Sequence, residues 1–163
     1  YENNTVDIMH DLFEGGTPYT IKSVLYKLCV VDKVFPLTTL NDRVNKFGYG
    51  RDIDGKPSEV SWEKLLKQKD HSLKQKADQM FTLFRFLPCI LHDLIPSDNP
   101  YWTFLMEYFR IVSLLVKPSF TETEPELLQN LIEDHLFKFT ELFPDRSLYP
   151  VIFKQHHLVH YPA

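Results

Sequence analysis

Glycine is scarce, at five residues in a chain of 163. So few leave no phosphate-cradling Gly-rich loop and argue against the turn-dense chain of a β-sandwich. Cysteine is scarcer still. Cys29 and Cys89 lie in apolar runs without paired spacing, which reads as two reduced core residues of an intracellular protein and excludes a disulfide framework. No apolar run approaches the ~18 residues of a membrane span. The opening Tyr1-Glu2-Asn3-Asn4-Thr5 also lacks the basic-then-apolar pattern of a secretory leader. Nor is there an excess of positive charge: 18 Lys and Arg stand against 22 Asp and Glu, a net of −4. Catalytic signatures are missing as well, with no Gly-x-Ser-x-Gly elbow and no His-Glu-x-x-His.

What is present is apolar mass, 44% hydrophobic and 14% aromatic, enough to bury a core and to exclude a disordered tail. The length predicts one domain over 1–163, made of a first segment (1–16), a helical bundle (17–146) and a His-rich terminal segment (147–163). The chain opens on Tyr1 and closes on Tyr161-Pro162-Ala163, just after a histidine cluster, and so reads as a piece of a longer polypeptide.

Periodicity predicts an all-α, multi-helix bundle. Thr5 can cap a short helix that Gly15-Gly16 should stop, and Thr17-Pro18 then opens a second helix with Ile21, Leu25, Leu28 and Val31 on one face. Pro36 breaks the chain, Thr38 can cap a helix over 39–47, and 48–57 reads as a loop. Leu73, Ala77, Met80, Phe84, Leu87, Leu91 and Leu94 recur at helical spacing, with Pro88 expected to kink or divide the run. Two more stripes follow. One is Trp102, Leu105, Phe109, Val112 and Val116; the other, capped by Thr121 or Thr123, is Leu128, Leu131, Ile132, His135, Leu136, Phe139 and Leu142. His135, on that stripe, reads as a buried and satisfied residue. The pairs Trp102 with Phe109 and Phe81 with Phe84 read as core, not as a base-stacking platform. A short helix is expected around 153–160.

Charge is unevenly spread. Lys64, Lys67, Lys69, Lys74 and Lys76 stand against Asp70 alone, whereas 122–146 holds seven acids and two bases. The lysine run reads either as a solvated helix face or as a phosphate-contacting strip giving affinity without base selectivity. Trp62 is the one aromatic near it.

Histidines cluster toward both ends. Asp7 and His10, three apart, can share a helical face, and so can His156 and His160, four apart. Together they make a closed set of N and O ligands suited to a structural zinc stapling two distant segments. A magnesium site from Asp7, Asp11 and Glu14 fits less well, since Asp11 falls on a different face from His10.

Residues 6–15 (Val-Asp-Ile-Met-His-Asp-Leu-Phe-Glu-Gly) and 154–162 (Lys-Gln-His-His-Leu-Val-His-Tyr-Pro) resemble transposon-encoded proteins of animals. The likeness is to transposases of the CACTA and Kyakuja-Dileera-Zisupton kind. The run 73–80 and Asn99-Pro100-Tyr101-Trp102 are similar too, so the resemblance spans nearly the whole chain.

The resemblance implies an RNase H-like parent enzyme with three metal-binding acids and a helical insertion between the second and third. Its Cys/Asp-x-x-His motif is matched by Asp7 and His10. By analogy with the related V(D)J recombinase, Asp7, His10, His156 and His160 become the expected zinc ligands, with Asp7 standing where a cysteine is usual. The first two catalytic acids would precede this chain and the third would follow it, so this piece holds no catalytic residue. Magnesium is expected only in the full-length parent, whose two ions, about 4 Å apart, would flank the reacting phosphodiester. Transposon-end DNA is the implied partner, with self-association of the chain, no membrane, and a nuclear location. The alternative is a transposon-derived, non-catalytic protein-interaction scaffold.

Overall fold

The computed structural model describes residues 12–67, 69–119, 121–152 and 158. Every regular element among them is helical, as the periodicity predicts. A π-helical turn (Leu12–Gly16) runs directly into helix α1 (Thr17–Tyr26), which continues as a second π-helical turn (Lys27–Val31). Then follow α2 (Leu37–Lys46), a 3-10 turn (Gly50–Gly55), the short α3 (Trp62–Leu66), α4 (Ala77–Leu91), α5 (Pro100–Leu115) and α6 (Glu124–Leu142).

Helix α1 is the centre of the bundle and packs against α3, α4 and α5. Residues Thr17 to Leu25 are all buried, so the helix has no solvent face, the pattern of an element enclosed by others. Two of its hydroxyls find partners inside: that of Thr17 lies 3.0 Å from that of Tyr108, and Ser23 donates to the Tyr19 carbonyl at 2.9 Å, while the buried Thr20 hydroxyl has no partner among the described residues. Helices α5 and α6 pair along their length, and α2 and the 3-10 turn pack on α4. The buried apolar side chains form one cluster, reaching from Leu12 to Leu158. Aromatic rings fill its middle; Phe84 of α4 stacks on Phe109 of α5 at 3.9 Å, nearly parallel.

Several local expectations are corrected. Gly15-Gly16 does not stop a helix: Gly16 is itself helical (φ −65°, ψ −42°), and Thr17 lies inside the run instead of capping it. Both glycines are buried, so tertiary packing outweighs their low helical propensity. Pro88 does not divide α4 into two helices; it lies near the C-terminal end, where its carbonyl accepts the His92 amide at 3.0 Å. Leu73, expected as the first residue of that stripe, is buried but lies in non-helical chain ahead of the helix. Val31 and Val116, expected on inner faces, are exposed because each ends its helix beyond the last packed turn. The caps are also redistributed. The Asn99 side chain accepts the amides of Tyr101 and Trp102 at 3.0 and 3.1 Å, while Thr38 lies inside α2 and Thr123 makes no side-chain cap. Cys29 is buried as expected, but Cys89 is exposed, because Leu87, Ile90 and Leu91 take the inner face of α4.

Candidate functional site

The five lysines do not lie on one helical face. Only Lys64 belongs to a helix, the five-residue α3; Lys67, Lys69, Lys74 and Lys76 sit in the non-helical chain that joins α3 to α4. Helix α3 is started by Ser61, whose hydroxyl accepts the Lys64 amide at 3.1 Å, and held to α1 by the fully buried Leu65. After it, Leu73 is buried while Lys74 and Lys76 are exposed, so this non-helical segment is anchored on one side. Gln75 fixes this segment laterally: its carbonyl accepts the Ser58 amide at 2.9 Å and its amide donates to the Ser58 carbonyl at 2.7 Å. Lys74 adopts left-handed backbone (φ 54°), a conformation that costs a non-glycine residue about 1 kcal/mol.

A further lysine holds the basic segment from below. Lys22, on α1, is 2% exposed, and its ammonium donates to the main-chain oxygens of Lys67, at 2.6 Å, and Asp70. Burial lowers its pKa, and the nearby Asp70 carboxylate opposes that shift. Asp70 ties the segment together, accepting from Lys64 at 3.0 Å and from the Ser72 amide at 3.1 Å, and these bonds lower its own pKa. The Asp70 bond raises the pKa of Lys64, while the Lys64 ammonium beside Lys74 lowers that of Lys74. Lys67 pairs with Glu63 one turn earlier. Of the five lysines, therefore, Lys64 and Lys67 are ion-paired, and Lys69, Lys74 and Lys76 have no carboxylate partner among the described residues.

Asp7, His10, His156 and His160, the expected metal ligands, lie outside the described residues, as does the helix expected around 153–160. The described chain beside them is linked. The Tyr19 hydroxyl donates to the Pro150 carbonyl at 2.8 Å across 131 residues, and Leu12 and Leu158, each 1% exposed, belong to the same core cluster. Among the described residues no three His, Cys, Asp or Glu side chains are grouped to hold a metal ion.

Two other histidines lie inside. His135 is buried as expected but is not satisfied: neither ring nitrogen has a hydrogen-bond partner among the described residues. Its ring is stacked on Phe104 at 4.2 Å and on Tyr108 at 5.1 Å, and burial pushes its pKa down to about 3. His71 meets the Tyr19 ring edge-on at 4.4 Å, and burial, then the Lys22 charge, lower its pKa. Grooves are shallow. One of about 260 Å³ runs between α5 and α6 beside the Glu107–Lys138 ion pair. Another, of about 380 Å³, lies between the 3-10 turn and α4.

Sequence reasoning missed Lys22. Its signal was a single charge within an otherwise uncharged stretch, Thr17 to Leu25. Comparison with known protein families, curated proteins and solved structures finds no match.

Proposed function

We propose that this chain is the helical insertion region of a DDE-type DNA transposase, supporting DNA binding and cut-and-paste transposition in a full-length nuclear protein without being catalytic alone. The reading rests on the two motifs that resemble the CACTA and Kyakuja-Dileera-Zisupton transposases, and one observation supports it most. The Tyr19–Pro150 hydrogen bond joins the helix that follows the Asp-x-x-His motif to the segment that leads into the histidine cluster. A region with that closure can hold the flanking elements of a catalytic core in register. The donor set of Asp7, His10, His156 and His160, one carboxylate and three imidazoles, fits a closed structural zinc that would reinforce the same junction.

The DNA contact in this reading is the segment carrying Lys64, Lys67, Lys69, Lys74 and Lys76, with the three unpaired lysines contributing most. Fluorescence anisotropy with a transposon-end duplex over a salt series tests it. Neutralising Lys69, Lys74 and Lys76 to Gln is expected to reduce the salt slope by roughly 2–3, since each lost phosphate contact releases about one counterion fewer. An unchanged slope and affinity would remove DNA binding from this surface. The α5–α6 groove favours a second reading, a transposon-derived interaction scaffold that takes a partner's apolar helix.

A further inference from the structure

Trp62 is half-exposed, at 45%, on a protein whose other tryptophan, Trp102, is in the core at 7%. One turn later on the same helix, Leu66 is 52% exposed. Positions four apart share a face, so α3 presents an indole and a leucine side by side to solvent. Neither is needed to hold α3 in place, because the fully buried Leu65 fixes it on α1. This apolar step stands in the most basic stretch of the molecule. Residues 62–76 carry five lysines against Glu63 and Asp70, on a chain whose net charge is −4. The backbone that follows the step is held by Lys22 at the carbonyls of Lys67 and Asp70 and by Gln75 at Ser58.

We infer that this surface is a single-stranded nucleic-acid site, in which an unpaired base stacks on Trp62 against Leu66 while the strand's phosphates follow Lys69, Lys74 and Lys76. A duplex hides its base faces and offers only phosphates, which the lysines would meet without using the indole. An exposed base supplies the flat face that an indole stacks on, and the lysines then neutralise the backbone attached to it. A bilayer suits the surface less. The apolar face is two side chains on a five-residue helix, too small to seat in the acyl boundary, and the lysines extend into the non-helical chain that follows instead of ringing the helix. The inference deepens the DNA-binding reading and rests on it.

The test uses the whole 163-residue chain and three probes: a short oligothymidylate, a blunt duplex, and phosphatidylserine vesicles. The oligothymidylate is expected to quench the emission of Trp62 saturably, with Trp102 as the internal reference. Trp62→Ala is expected to weaken oligothymidylate binding about tenfold or more, Trp62→Phe to keep most of it, and both to bind duplex as the wild type does. Equal oligothymidylate affinity in wild type and Trp62→Ala overturns the inference. So does quenching by vesicles but not by the oligonucleotide, or a Trp62→Ala effect confined to self-association in sedimentation. The lysine-to-Gln triple variant separates the two levels. If it loses duplex binding while Trp62→Ala binds oligothymidylate normally, only the stacking site fails. If it binds every nucleic-acid probe normally, the DNA-binding reading fails with it.

Discussion

The Lys22 ammonium lies 2.6 Å from the main-chain oxygen of Lys67, a residue 45 positions further along the chain. A charge enclosed by the core thus holds the one segment in which positive charges collect on the surface. Replacing Lys22 by Met leaves the carbonyls of Lys67 and Asp70 without their donor. The expected loss is about 1–3 kcal/mol in urea unfolding. Amide exchange at Asp70 and Ser72 is expected to quicken, because their hydrogen bonds, to the Lys67 carbonyl and the Asp70 carboxylate, lie within the released segment. A variant as stable as the wild type, with unchanged exchange, would show that Lys22 does not hold this segment.

His135 gives the fold an acid-sensitive point. Its folded pKa of about 3 is below the ordinary histidine value, so between that value and about 3 the unfolded chain binds a proton that the folded chain excludes. Stability is therefore full above pH 6.5 and falls as the pH drops toward 3, by about 1.4 kcal/mol per pH unit. His135→Phe keeps a ring against Phe104 and removes two buried nitrogens that have no partner among the described residues. It is expected to gain about 1–3 kcal/mol at pH 7 and to lose this part of the acid slope. His71, lowered in the same direction, is present in both proteins, so the difference between their urea midpoints at pH 5 and pH 7 isolates His135.

Gly55 closes the 3-10 turn against α4 with no room for a methyl group. A Cβ there would stand 2.8 Å from the Thr82 hydroxyl oxygen and 3.4 Å from the Asp78 carbonyl. Gly55→Ala is expected to cost about 1–3 kcal/mol. Thr82→Ala removes the nearest clashing atom, so the double variant should be more stable than the sum of the single changes predicts. Additive costs in the thermal unfolding cycle would place the strain elsewhere.

A zinc held by Asp7, His10, His156 and His160 would contribute several kcal/mol to folding. Dialysis of the metal-loaded chain against EDTA is expected to lower its melting midpoint. His10→Ala and His160→Ala should melt at the lower temperature from the start and ignore the chelator. Identical midpoints with and without EDTA in all three proteins would remove the metal from the proposal.

The helical class was legible because apolar residues recur at helical spacing in every long segment, most clearly from Ala77 to Leu91 and from Leu128 to Phe139. Local punctuation was less legible. Gly15-Gly16 signals a stop only when its surroundings are wet, and here both glycines are buried. Cys89 has apolar neighbours in sequence yet points outward, since neighbours along a helix do not share a face. The lysines were visible as a charge run, but their placement was not. Five residues of α3 followed by an irregular segment leave no periodic trace, and the contacts that fix it, from Gln75 to Ser58 and from Lys22 to Lys67, are between residues far apart in sequence. The unsatisfied state of His135 was equally hidden, because a stripe shows that a side chain is buried but not what meets its polar atoms.

Tyr19 and Pro150 are separated by 131 residues. At a translation rate of about 5–20 residues per second, the phenol waits roughly 7–26 s on the ribosome before its acceptor is made. Thr17 waits for Tyr108 in the same way. The helices that enclose α1, namely α3, α4 and α5, also follow it in the chain, the last of them complete only at Leu115. The innermost helix of this bundle is thus made ahead of every helix that encloses it, and its apolar surface stays open until they follow.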